Sequence, residues 1–204
     1  MTPGFPQILT CPFCGKEKEI MTLASGNTFG AKYWSDNKQT APMLPEISYV
    51  QKCDGCGKYF IRTRQEERFN EEGFSLEQGL LTFQETQEAF DQISREGFET
   101  KEEEATLRMM VHHAYNDYYH RSTEHHEITP DDWNMFVSNA KWLIDNFISD
   151  NILKAEFYRE TGGFDNAIAS LDAGEPYEDP FIKHMAGAIR EKAKNKDLCV
   201  FQIL

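Results

Sequence analysis

The sequence predicts an α+β protein in two parts, a small β module over residues 1–64 followed by an all-α helical bundle over residues 65–204. Three observations predict it. Two Cys-x-x-Cys-Gly pairs lie within the first 57 residues, among Gly, Pro and short β-rich runs. Proline is absent from Pro45 to Pro130 while Glu, Gln, Lys and Ala rise. Over the same boundary the apolar pattern changes from short runs to stripes of helical period.

In the front module the candidate strands are Glu19–Ala24, Ala31–Ser35, Ser48–Lys52 and Lys58–Thr63. Turn signals separate them at Ser25-Gly26-Asn27, Asp36-Asn37 and Pro42 to Pro45. Behind it, residues 76–95 read as a helix with Leu76, Leu80, Phe83, Ala89 and Phe90 as its stripe. A second helix covers residues 101–121 with Leu107, Val111, Ala114 and Tyr118 on one face, Met110 and Tyr115 beside them, and Glu102–Glu104 as a solvated first turn. A third starts at Thr129-Pro130-Asp131-Asp132, where Thr129 suits the N-cap, Pro130 the first helical position and both Asp the positive helix end. A fourth covers residues 149–161 and stops at Gly162-Gly163; a fifth covers 164–173 and stops at Gly174; a sixth runs from Asp179-Pro180 to about Lys196. The apolar tail Leu198–Leu204 reads as a closing strand or a packed extension.

The pairs Cys11-Pro-Phe-Cys14-Gly and Cys53-Asp-Gly-Cys56-Gly carry the sharpest chemistry. Zinc takes four thiolates in a closed tetrahedron, and two-residue spacing lets both sulfurs of a pair reach one ion. The glycine after each pair permits a tight turn whose N–H groups can point at sulfur. Lys16, Lys18, Lys52 and Lys58 flank the pairs and soften the negative charge of such a centre. Cys11, Cys14, Cys53 and Cys56 are therefore the expected ligands of one structural zinc ion, in a zinc-ribbon module with an unusually long insert from Gly15 to Lys52. A redox dithiol needs a βαβ context that does not follow the first pair, while iron could use the same thiolates. Metal binding here is also folding energy, about 10–16 kcal/mol in small zinc modules. Cys199 stands alone and reads as a small buried hydrophobe, with a reactive thiol as the alternative.

Charge bounds the partners. Residues 1–64 hold eight Lys/Arg and five Asp/Glu, a net of +3, so with −13 over the whole chain the back carries −16. An acidic back repels phosphate, so nucleic acid could meet only the front. No apolar stretch is long enough for a membrane span, and the N-terminus has neither a basic nor an apolar leader region. A cytoplasmic protein is expected, in a reducing setting where paired cysteines bind metal.

Between Ala155 and Leu171 the order small, aromatic, glycine, aromatic, alanine, leucine has the rhythm of a tetratricopeptide helix pair. Ala155 and Ala167 would be the close-contact points, Tyr158 and Phe164 the packing aromatics, and Gly162 the end of the first helix. Asn151 replaces the usual large opening residue, the expected proline is displaced to Pro180, and no second copy follows, so an ordinary helical hairpin is the alternative. With the two knuckles, the Ser25-Gly26-Asn27 loop and the acidic Tyr115-Asn116-Asp117 region, the chain resembles the uncharacterised bacterial zinc-ribbon proteins with a tetratricopeptide-like C-terminal half. That resemblance implies zinc binding and protein contacts, and no established reaction.

Two other stretches carry possible chemistry. His113, Asn116, Asp117 and His120 share a helix face, so His113, Asp117 and His120 could hold a second metal; a polar face bonded to neighbouring protein is the plainer alternative. The stretch Leu23–Asp36 could be a binding loop in which Lys32, Tyr33 and Trp34 stack on a ligand or base, or a turn around a buried Trp. Walker, dinucleotide-binding and nucleophile-elbow motifs are absent. The expected function is a non-enzymatic adaptor for a protein or peptide partner, preferably a basic one. The alternatives are nucleic-acid binding through Lys32, Lys38, Arg62 and Arg64, and an enzyme using the His112–His126 region.

Overall fold

The structure is a computed structural model that describes residues 1–203. The chain packs as two units, one of Met1–Ala31 with Thr40–Leu107, the other of Lys32–Gln39 with the chain from Arg108 onward. Residues 65–107 thus pack with the cysteine module and residues 32–39 with the helices, so the units depart from a division at residue 64.

In the first unit two antiparallel hairpins carry the cysteine pairs. Strands β1 (Thr2–Pro3) and β4 (Leu23–Ser25) pair; β2 (Gln7–Thr10) pairs with β3 (Glu17–Ile20) in the register Gln7–Ile20 to Thr10–Glu17. The expected strand Glu19–Ala24 is therefore broken. At Thr22 the chain changes partner, its hydroxyl donating to the Phe5 carbonyl at 2.7 Å and its carbonyl accepting from Gly4 N–H at 2.9 Å. After β5 (Lys32–Tyr33) and β6 (Gln39–Thr40), β7 (Val50–Lys52) pairs with β8 (Tyr59–Ile61). Leu9, Ile20 and Phe60 pack against Cys11 and Cys53, so the apolar core reaches up to the thiols.

The first helix, α1 (Phe83–Glu96), begins seven residues later than its apolar stripe suggests. Residues 77 and 78 are held by the β module instead: the Glu77 and Gln78 carbonyls accept from Met21 and Ser48 N–H at 2.7 and 3.0 Å. Gly79 sits at φ 63° with Gln51 against it, a place no side chain fits. Leu76 and Leu80 are consequently exposed. The true start is marked by a capping box, in which Thr82 and Glu85 satisfy each other's backbone N–H groups.

Helix α2 (Lys101–Asn116) continues into a π turn over Asp117–Arg121. Glu103 in its first turn is not solvated but buried, bonded to the Arg64 guanidinium. In the second unit α3 (Pro130–Asn146) has the expected Thr129 cap, bonding Asp132 N–H at 3.1 Å. Asp150 caps α4 (Asn151–Glu160) and Asp179 caps α6 (Pro180–Lys194), each through two N–H groups. Between α4 and α5 (Phe164–Gly174), Gly162 takes φ 82° and Gly163 N–H closes on the Tyr158 carbonyl at 2.7 Å. Ala155 and Ala167 are fully buried where these helices meet, among Ile152, Leu171, Ala186, Ile189 and Ala193, with Tyr158 and Phe164 packed at the margin. The tail pairs back onto the hairpin at residues 33–35: Ser35 N–H donates to Phe201 and Ile203 N–H to Tyr33, at 2.9 and 2.7 Å. Among its described residues the tail forms no strand but a packed extension with one antiparallel bridge, Trp34 to Gln202, and Cys199 in it is exposed rather than buried.

Candidate metal centre

Each cysteine pair sits at the tip of a hairpin, and the two tips have the same backbone wiring. Cys11 N–H donates to the Lys16 carbonyl and Gly15 N–H to the Cys11 carbonyl, both at 2.9 Å. At the other tip Cys53 N–H donates to Lys58 at 2.9 Å and Gly57 N–H to Cys53 at 2.8 Å. Gly15 and Gly57 hold φ 75° and 72°, the left-handed conformation that lets the chain leave each turn. The spacing of the residues, repeated twice, thus produces the same loop twice.

The two loops bring all four sulfurs of Cys11, Cys14, Cys53 and Cys56 within 4.8 Å of one another. Cys11–Cys56 and Cys14–Cys53 are 3.7 and 3.5 Å apart. A tetrahedron with metal–sulfur bonds of about 2.3 Å has sulfur–sulfur edges of about 3.8 Å. The donor set therefore fits a tetrathiolate metal site. Cys11 and Cys53, first in each pair, are buried, and Cys14 and Cys56 face outward. Backbone N–H groups point at the sulfurs as the glycines suggest, with Gly55 N–H 3.3 Å from Cys53 Sγ. Burial opposes the Cys53 thiolate, but N–H groups of Cys56 and Gly55 and the neighbouring thiols outweigh it, and its pKa falls to about 6. At Cys14 the Lys16 N–H acts downward, yet the Cys53 thiol, burial and the other thiols push it up to about 12. One site cannot hold four bare thiolates; a cation is what would let all four ionise. Of the flanking lysines, Lys52 is spent on Glu85 at 2.8 Å and Lys58 lies over the Phe13 ring at 4.5 Å.

The histidine stretch is arranged otherwise. His113 Nε2 is 3.2 Å from the Asp36 carbonyl oxygen, Asp117 is held by Lys38 at 2.5 Å and Arg121 at 2.7 Å, and His120 lies against Tyr115. His113, Asp117 and His120 do not converge: among the described residues, only the four cysteines form a group of three or more ligand-type donors within reach of one ion. In the Leu23–Asp36 stretch, Trp34 serves the fold, with the Arg121 guanidinium 4.8 Å above its ring and its backbone N–H donating to the Lys38 carbonyl across a tight turn.

The second unit also holds a buried polar network that the residue pattern did not announce. His112 is fully buried between the Phe136 and Phe157 rings, at 4.6 and 4.0 Å, and its Nε2 lies 2.8 Å from Glu160 Oε2. Burial lowers its pKa to about 4. Asn116 donates to both Asp36 and Glu160 at 3.0 Å, and Arg159 grips Glu156 with two bonds of 2.8 and 2.5 Å. Asp36 had read only as a turn residue. A signal for Arg159 was present: it stands four residues after Ala155, on the face expected to make the closest contact.

Comparison of the chain with protein-family models, with curated proteins and with solved structures gave no match. No helix among the described residues is long and apolar enough to cross a membrane.

Proposed function

We propose that Cys11, Cys14, Cys53 and Cys56 hold one structural zinc ion and that the chain is a non-enzymatic protein-interaction adaptor. The observation that carries this reading is the closure of the donor set: four thiols from two identical loops leave a tetrahedral ion no open position for substrate or water. The zinc then fixes the two hairpins to each other and serves as a strut for the surface around them.

A protein partner is favoured over nucleic acid by how the front's basic groups are used. Lys38 is paired with Asp117, Arg64 with Glu103 and Glu99, and Arg62 with Gln7, so three of the four cations that would track phosphate are engaged. Among the exposed apolar side chains, four instead fall on one irregular stretch, Phe69, Phe74, Leu76 and Leu80. Apolar groups set together on a surface commonly mark protein contacts. The kinship with bacterial zinc-ribbon proteins, the tetratricopeptide-like character of α4 and α5, a cytoplasmic setting and a basic partner belong to the same proposal.

The test is affinity capture of the intact chain against its Phe74→Ser/Leu76→Ser/Leu80→Ser variant, together with single-stranded DNA and RNA binding at low salt. The adaptor reading expects a protein recovered with the first and lost with the second, and no nucleic-acid binding. Tight nucleic-acid binding with a steep salt dependence would replace it.

A further inference from the structure

The polar network of the second unit holds one more buried carboxylate than it holds cations. Asp36 is matched by Arg121, and Glu156 by the two-bond grip of Arg159. Asp117, at the margin, is served by Lys38 and a second nitrogen of Arg121. Glu160 is left over. Its nearest guanidinium nitrogen, Arg159 Nη2, is 3.9 Å away and already bonded to Glu156. Its Oε2 meets His112 Nε2 and Asn116 Nδ2, while its Oε1 is buried with no hydrogen-bond partner. An ionised carboxylate so placed is strongly disfavoured against the neutral acid.

The groups facing Glu160 do not relieve this. From α2 come His112, held neutral between two phenyl rings, and Asn116, with His113 and His120 beyond. From the 32–39 hairpin comes Asp36, itself an anion, and from the π turn Arg121, which is spent on Asp36 and Asp117. From its own helix come Glu156 and Arg159, and from the tail Asp197, whose carbonyl accepts from Arg159. Burial and then the Asp36 charge raise the Glu160 pKa from 4.5 to about 7, and burial raises that of the adjoining Glu156 to about 7 against the pull of Arg159.

We propose that Glu160 carries a proton in the folded unit and works as a latch on the hairpin at residues 32–39: when the proton leaves, Glu160 and Asp36 become two anions on the one Asn116 amide, and the hairpin loosens. The hairpin supplies Tyr33, Trp34 and Lys38 to a cleft of about 390 Å³ whose facing wall includes Leu153, Phe181 and Met185. Release of the hairpin removes the side of the cleft that Tyr33, Trp34 and Lys38 form.

The sign follows from linkage. A raised folded pKa gives a contribution that is complete below the unfolded value of 4.5 and is lost as pH rises through about 7. His112 acts oppositely, its lowered pKa favouring the folded unit as pH rises from about 4 towards 6.5. In the native chain the two effects offset each other between those values. Comparison with Glu160→Gln isolates the first.

The experiment is amide hydrogen exchange of Trp34 and Ser35 in the full chain and its E160Q variant, compared at equal pH so that intrinsic exchange rates cancel. The proposal expects the protection of E160Q over the native chain to grow by up to about tenfold per pH unit between about pH 5 and 7, then to level. A ratio that stays constant or falls with rising pH overturns it. The carboxyl carbon of Glu160 in the native chain gives a second reading that does not depend on the variant folding. A titration midpoint near 7 supports the latch, and one at or below 4.5 overturns it.

Discussion

Replacing Arg159 by Met separates charge from packing in the helical unit. The guanidinium is fully buried, donates at 2.8 and 2.5 Å to Glu156 and also to the Asp197 carbonyl, and lies 5.5 Å from the Phe201 ring centroid. Methionine fills much of the same volume, so the packing loss is small, about 1 kcal/mol. The electrostatic loss is larger, because Glu156 is left as an uncompensated buried carboxylate, which costs about 3–5 kcal/mol. Burial already raises the Glu156 pKa and Arg159 holds it back, so removing Arg159 raises it further. The variant's deficit is therefore greatest above that raised value and shrinks as Glu156 takes up a proton in acid. Urea unfolding followed by far-ultraviolet circular dichroism should show R159M less stable than the native chain by about 3–5 kcal/mol near pH 8. Near pH 5 the deficit should fall to about 1–2 kcal/mol, the worth of the lost hydrogen bonds. A deficit below about 1 kcal/mol near pH 8, or one equal at both pH values, would refute the argument.

Three further outcomes follow from single positions. Ala167→Leu inserts bulk where α4 and α5 meet at a fully buried residue, and should lower stability by about 1–3 kcal/mol in the same unfolding assay. Thr82→Ala removes one half of the capping box and should cost about 1 kcal/mol, with faster amide exchange confined to the first turn of α1. Gly57→Ala meets no atom within 4 Å but forces a side chain onto φ 72°, so it should cost about 1–2 kcal/mol and weaken metal retention in a chelator competition, while Gly57→Asn costs less.

Much of the fold was legible where a local rule acts alone. Thr129-Pro130 and Asp179-Pro180 start their helices because a cap and a fixed φ need no distant partner. The two knuckles were legible because spacing and glycine determine the loop. The start of α1 was obscured by an apolar stripe that continues upstream, where backbone bonds to Met21 and Ser48 compete with helix formation. The break in the strand at Thr22 depends on Gly4 and Phe5, far away in sequence, and no period reports it. The buried network was the hardest to read. Asp36 looks like any turn aspartate until Asn116 and Arg121 arrive from about 80 residues further along the chain, and its burial rests on those partners.

The central claim is that the four cysteines close on one zinc ion. Elemental analysis of the purified chain with X-ray absorption at the metal edge tests it directly. One zinc per chain with four sulfur neighbours at about 2.3 Å is expected, lost in Cys14→Ser together with ordered structure in the cysteine-bearing unit. A chain that carries no metal with its thiols reduced, or a Cys14→Ser variant that keeps a full zinc equivalent, would contradict it.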